Sequence, residues 1–237
     1  MKRGKKQDTL ILLVVVVCVF YFLTAGFSLD GYSIRDIRCI QYLRQGTLYG
    51  GQAECVQPPM MYLFGVFLTL FGVALLQPLT YLSILCLNVS TLYFISKLVA
   101  SKEKTVNMCV YIVYCVVVLP LTVAQLDTSL ALFFGFSGIY ILLNRKGVSS
   151  DYVGFFLIFS AVASKITAVS ALVAVGFFYA YTNALKIKGK EITWLFFYTL
   201  RFLLAFLVYA IVLRLVFPKI IVYTILSHYH GETLTFS

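Results

Sequence analysis

Residues 58–78 read PPMMYLFGVFLTLFGVALLQP, and whether this stretch crosses a bilayer decides how the whole chain is threaded. The other apolar runs fall at 9–29, 79–96, 107–124, 128–143, 152–164, 166–182 and 192–217. If 60–76 spans, the basic loops around SKEK, NRK and KIKGK end up opposite the basic N-terminus. If it does not span, they all share the N-terminal side. On that second threading MKRGKK supplies four basic residues, 97–104 three, 145–146 two and 186–190 three, so twelve of the nineteen Lys and Arg lie on one face. Cytoplasmic loops carry the excess of Lys and Arg, so the second threading is preferred. It makes the N-terminus cytosolic and 60–76 a membrane-dipping or interfacial helix of the first external loop.

The composition agrees with a multi-pass membrane protein. The chain has 237 residues, 61% hydrophobic and 12% charged, with a mean hydropathy of +0.95. Soluble domains run at about 45–50% apolar and about 25% charged. The predicted fold is an all-α bundle of about seven transmembrane helices in a single module, 1–237. A cytosolic basic tail (1–8), a long first external loop (30–78) and an external C-terminal loop (218–237) flank the spans. The fifth and sixth runs are short for a hydrocarbon core of about 30 Å. MKRGKKQ resembles the start of a signal peptide, but the apolar run after it exceeds the usual ~7–15 residues, which favours a retained helix. Prolines 58, 59, 78, 120 and 218 lie in the first loop or near span ends, as expected of a residue that helix interiors disfavour. The net charge of +10 sits in orienting loops, so nucleic acid is not an expected partner. The expected location is the plasma membrane or the endoplasmic reticulum.

Cys18, Cys86, Cys109 and Cys115 lie inside apolar runs and read as small packing residues. Cys39 and Cys55 share the first loop, where an oxidising space would allow a bridge between them. No CxxC or HExxH is present, and the sequence makes no case for a metal site. Asn88-Val-Ser90 matches a glycosylation sequon but lies inside a span.

The first loop is the chain's one long polar stretch. Ser33-Ile34-Arg35-Asp36 fits a capping box, and Ile34, Ile37, Ile40 and Leu43 recur at three-residue spacing. A short amphipathic helix over 33–45, lying in the interface, is predicted. Asp30, Asp36, Glu54, Asp127 and Glu232 fall outside. Asp151 is read as an N-cap at an inner helix start.

This order resembles the polyprenyl-phosphate-sugar-dependent glycosyltransferases of the GT-C class, including dolichyl-phosphate-mannose mannosyltransferases. The resemblance lies in a basic N-terminus, one span, and an acid directly after it, here Asp30. An amphipathic helix, Tyr49-Gly50 and Pro58-Pro59-Met60-Met61-Tyr62 then follow. Further on, PLTVAQLDTSLALFFGFSGIYILLNRK resembles the second external loop, with Asp127 at the opening of the fourth span. GFFLIFSAVASKITAVSALVAV resembles the short helix pair with a central Ser164-Lys165, and SHYHGETLTFS resembles the loop after the seventh span.

The resemblance implies transfer of a sugar, with mannose the expected one, from a polyprenyl-phosphate donor to an acceptor hydroxyl, with inversion. A carboxylate would take the hydroxyl proton and cations would hold the phosphate charge. Asp30 is the expected base, with Asp36 and Asp127 as further catalytic candidates; capping explains Asp36 and Asp127 without catalysis. For the donor phosphate the candidates are Lys165, Arg214, His228 and His230. Snorkelling to the interface is the plain alternative for Lys165. The first loop holds no DxD or ExD pair, so no cofactor is expected and a divalent metal is left open. The expected partners are a polyprenyl-phosphate-linked sugar, a glycan, lipid or protein acceptor, membrane lipids and another membrane subunit. Two rival readings are a non-catalytic membrane scaffold or partner subunit, and a small-solute transporter. Transporters favour repeats and polar groups at the midplane, whereas here the acids gather on one surface.

Overall fold

The computed structural model describes residues 16, 19–20, 34–46, 48, 55, 59–99, 109, 111–118, 125–144, 147–165 and 191–217. Every element among them is helical: α1 (Ile34–Arg44), α2 (Pro59–Thr69), a 3-10 turn (Val73–Leu75), α3 (Leu76–Val99), a π turn (Tyr114–Val118), α4 (Leu126–Asn144), α5 (Val148–Ser164) and α6 (Glu191–Val216). Among the described residues three stretches are long and apolar enough to cross a membrane, Pro78–Leu98, Leu126–Asn144 and Phe196–Val216. The 17-residue α5 is shorter. The predicted span at 9–29 falls largely outside the described residues, half of 107–124 falls outside them, and 166–182 falls wholly outside them.

The apolar run 60–76 is not one helix. Pro59 opens α2, at the first-turn position where a missing N–H costs nothing, and the helix ends at Thr69 after 11 residues. At ~1.5 Å per residue it is about 16 Å long, roughly half of a ~30 Å hydrocarbon core. The chain then turns: the Leu70 N–H donates to Phe67 O at 3.2 Å and the Gly72 N–H to Thr69 O at 3.1 Å. Gly72 has φ +108°, a conformation that side chains other than glycine's rarely adopt. That residue breaks the run, and α3 starts four positions later.

Side-chain contacts fix the helix directions. Ile84 of α3 clusters with Leu126 and Leu130 of α4, while Phe94 meets Phe133 at 6.1 Å and Tyr140 at 5.5 Å. Rising numbers match rising numbers, so α3 and α4 run the same way. Between α4 and α5 the order reverses, because Gly138 faces Ile158 and Gly154 faces Leu142. The two glycines let the backbones approach closely: a Cβ on Gly138 would lie 2.9 Å from Gly154 O, and one on Gly154 would lie 2.5 Å from Leu142 Cγ. Small residues at helix contacts are a recurrent solution in membranes, where helix association rests on close packing. Between α5 and α6 the order is parallel again. Phe155 stacks edge-on against Phe202 at 5.3 Å, and Phe159 against Phe206 at 5.6 Å.

The N-termini of α3 and α4 and the C-termini of α5 and α6 therefore share one end of the bundle. At that end α1 and α2 are tied in by a core of Cys39, Ile40, Leu48, Cys55, Tyr62, Leu68, Leu76 and Phe217. Cys39 and Cys55 form a disulfide across 16 residues, with Cα atoms 5.6 Å apart. Closing a loop of that size stabilises the folded chain by about 3 kcal/mol in the chain-entropy account. Arg44, the last residue of α1, donates to the Thr69 hydroxyl at the end of α2.

The packing of α3 has a polar centre. Asn88 is 1% exposed; its amide N–H donates to Ser129 Oγ at 3.1 Å, and the Tyr114 hydroxyl donates to its Oδ1 at 2.9 Å. The asparagine of the sequon is thus enclosed and engaged by two other segments. Cys86 and Cys109 depart from expectation. Both are exposed on the outside of the bundle instead of packing within it, while Cys115 is half-buried. A thiol is apolar enough to face lipid, so an apolar run alone does not say which way it points.

Candidate functional site

The end of the bundle that carries α1 and α2 also carries a compact polar cluster. Lys165 closes α5: its backbone turns extended (φ −154°, ψ 118°) while its N–H still donates to Ala161 O at 3.0 Å. Its side chain reaches the first turn of α4. The ammonium lies 3.4 Å from Asp127 Oδ2 and donates to Thr128 Oγ1 at 2.6 Å and to Gln125 Oε1 at 3.1 Å. Asp127 is anchored in turn, because its Oδ1 accepts the Thr128 N–H at 2.7 Å. The Thr128 hydroxyl donates to Gln125 Oε1 at 2.7 Å.

Local sequence explains the arrangement. α4 begins at Leu126, with the Ser129 N–H bonded to Gln125 O at 3.1 Å. Gln125 therefore holds the cap position and Asp127 lies inside the first turn, not at the cap where it was expected. A carboxylate there is favoured by the positive end of the helix dipole. The buried Leu126 and Leu130 turn one face of that turn toward Met61 and Ile84, leaving Asp127 and Thr128 half-buried beside Lys165. The two side chains of the ion pair keep 32% (Lys165) and 23% (Asp127) of their exposure, so the pair sits at a surface and not in the helix interior.

The structure thus joins two of the expected site residues, Asp127 and Lys165. Arg214 is exposed on the last turn of α6, at the same end of the bundle. Asp36 falls in the first turn of α1, the helix expected over 33–45 and found over Ile34–Arg44. Asp30, His228 and His230 lie outside the described residues. Gln125 and Thr128 had no signal in the sequence, since a lone amide and a hydroxyl near a span end are commonplace. Among the described residues no group of three or more His, Cys, Asp or Glu could hold a metal ion.

A second ion pair occupies the opposite end. α5 starts at Val148 after Gly147, whose φ of +141° turns the chain into the helix. Asp151 is consequently a full turn inside and does not cap it. It is 8% exposed and accepts from Arg201 Nη1 at 2.7 Å. That contact fixes α5 against α6, far along both helices from Lys165.

The chain is a helical membrane protein, with a pairing of acid and base at one end and a second pairing at the other. No family model matches it, and no curated protein or solved structure does either.

Proposed function

We propose that this protein is a GT-C-type glycosyltransferase. In this reading it moves a sugar, mannose being the expected one, from a polyprenyl phosphate to an acceptor hydroxyl on the external or lumenal face. The acceptor oxygen attacks the anomeric carbon, the bond from that carbon to the phosphate oxygen breaks, and the hydroxyl proton passes to a carboxylate. Polyprenyl phosphate leaves as its own good leaving group, so a general acid is not required. Asp30 is the base in this scheme, Asp127 braces the site, and Lys165 holds charge on the departing phosphate.

The observation that carries the reading is the meeting of Asp127 and Lys165 at 3.4 Å, at the end where the disulfide-clipped α1 and α2 pack. Two segments 38 positions apart in sequence bring a carboxylate and an ammonium to that end. The helix directions support a seven-span threading. α3 and α4 run the same way, as do α5 and α6, so the connections 100–125 and 166–190 each join opposite ends. Counting those two connections, the four helices and the apolar run 9–29 gives seven. Transport fits less well, because the polar cluster lies at a bundle end and not along a path through it.

The test is transfer from labelled polyprenyl-phosphate sugars by the purified full chain. Asp30→Asn should lower transfer by about 10²-fold or more, the range of general-base removal, while the melting temperature stays close to wild type. Asp36→Asn should act mainly on stability, by up to about 1 kcal/mol as a lost cap element. Full transfer in Asp30→Asn ends its assignment as base. No transfer from any donor returns the chain to a scaffold or partner subunit.

A further inference from the structure

Lys165 presents a chemical puzzle for a phosphate ligand. Its contacts are already taken by the chain's own oxygens: Asp127 Oδ2 at 3.4 Å, Gln125 Oε1 at 3.1 Å and Thr128 Oγ1 at 2.6 Å. An ammonium has three N–H donors, so an incoming phosphate oxygen must displace one partner. The three are unequal. Asp127 is a fixed counter-charge, held by the backbone N–H of Thr128 at 2.7 Å. Thr128 belongs to the same helical turn and is half-buried. Gln125 is exposed, neutral, and engaged at the end of a flexible side chain.

Two donors converge on the one Gln125 oxygen, the Lys165 ammonium at 3.1 Å and the Thr128 hydroxyl at 2.7 Å. Thr128 accepts from Lys165 and passes its own single hydrogen on to that oxygen, since its other acceptor, Asp127 Oδ1, is more distant at 3.3 Å. The convergence of a cation and a hydroxyl on one point is what an anionic oxygen requires. Charge-assisted hydrogen bonds are roughly twice as strong as neutral ones, so a phosphate oxygen is the better occupant of that point.

We infer that Gln125 Oε1 occupies the seat of a phosphate oxygen and that Gln125 is a displaceable plug over an anion site built from Lys165 and Thr128. The ligand class is a lipid monophosphate, and the inference rests on the reading of Lys165 as the donor-phosphate residue. Thr128 becomes a binding residue for that phosphate. Gln125 becomes a self-occluding one that reduces the apparent affinity of the empty site by the fraction of time it is seated. Asp127, whose charge stays beside the site, limits how tightly the released phosphate is held after transfer.

The experiment measures the dissociation constant of farnesyl phosphate for the full chain in detergent micelles, with farnesol as the uncharged control. Gln125→Ala should bind farnesyl phosphate about three- to tenfold more tightly than wild type, because the occluding state is removed. Gln125→Glu should bind it more weakly, since a carboxylate holds the seat against the phosphate. Thr128→Val should weaken binding by about tenfold or more, as expected from losing one hydrogen bond to a charged group. Farnesol binding should not change in any of the three. Gln125 is exposed, so circular dichroism and melting should match wild type in its variants. If wild type prefers farnesyl phosphate to farnesol but Gln125→Ala binds it equally or more weakly, the plug is overturned and the phosphate reading of Lys165 stands. If wild type does not distinguish the two ligands, the phosphate reading falls and the plug falls with it.

Discussion

At the scale of single residues, the two ion pairs are differently built. Lys165–Asp127 lies at a surface, where such pairs contribute about 0–1 kcal/mol, so it adds little to stability. Asp151–Arg201 sets a nearly buried carboxylate against a guanidinium that keeps 35% of its exposure. Removing one partner of a buried pair strands a charge at a cost of about 3–5 kcal/mol. With Arg201 partly exposed, Arg201→Met should cost less, about 2 kcal/mol by discounting that range. The double variant Asp151→Asn with Arg201→Met should recover part of the loss, because no charge is left stranded. Thermal unfolding in detergent reads both; a double variant no more stable than the single would show that the pair does not act through the stranded charge. The sequence could not reveal this pair. Asp151 sits three residues past the helix start, where capping is the ordinary expectation, and its partner is 50 positions away. Lys165 was legible because a lysine between two apolar runs is costly in hydrocarbon, and Asp127 because it opens one. Their partners Gln125 and Thr128 carry no such cost and left no mark.

At the scale of elements, glycine spacing decides how α4 and α5 meet. A Cβ on Gly138 would fall 2.7 Å from Ile158 Cγ1 and 2.9 Å from the backbone oxygen of Gly154, whereas one on Gly135 would meet only Ala161 Cβ at 3.8 Å. Gly138→Ala must push the helices apart and should cost about 1–3 kcal/mol, the range for overpacked sites. Gly135→Ala has the room and should be neutral or stabilising by up to about 1 kcal/mol, the helix-propensity gain. Melting temperatures of the two single variants should therefore move in different directions, and equal losses would refute the close-contact account. The helix ends themselves were readable to within a few residues where hydropathy changes sharply, as at Leu126 against an expected 128 and Val216 against 217. The interruption at Gly72 was not. A glycine inside an apolar run is common in membrane helices, and only its backbone conformation distinguishes a break from a packing site.

At the scale of the whole molecule, threading follows from the fate of 60–76. The two parallel pairs, α3 with α4 and α5 with α6, put Leu76, Leu126, Lys165 and Phe217 at one end and Val99, Asn144 and Val148 at the other. Lys97 lies in the last turn of α3, at the second end, and the bias of Lys and Arg toward the cytosol would make that end the inner one in the proposed threading. The disulfide belongs to the first end, in keeping with an oxidising space outside the cytosol. In the proposed threading the rule of charge and the rule of redox agree. Single cysteines at Ala74, exposed in the 3-10 turn, and at Asn144, exposed at the end of α4, test this in a background where Cys18, Cys86, Cys109 and Cys115 are alanine. The Cys39–Cys55 bridge stays in place, since a disulfide does not react with a maleimide. An impermeant maleimide should label Ala74→Cys on intact cells and Asn144→Cys only after permeabilisation. Labelling of both from outside would contradict the opposite placement of the two sites. The reverse pattern would keep the packing and invert the membrane orientation, moving the Lys165 cluster to the cytosolic face and removing the external or lumenal site that the proposed transfer requires.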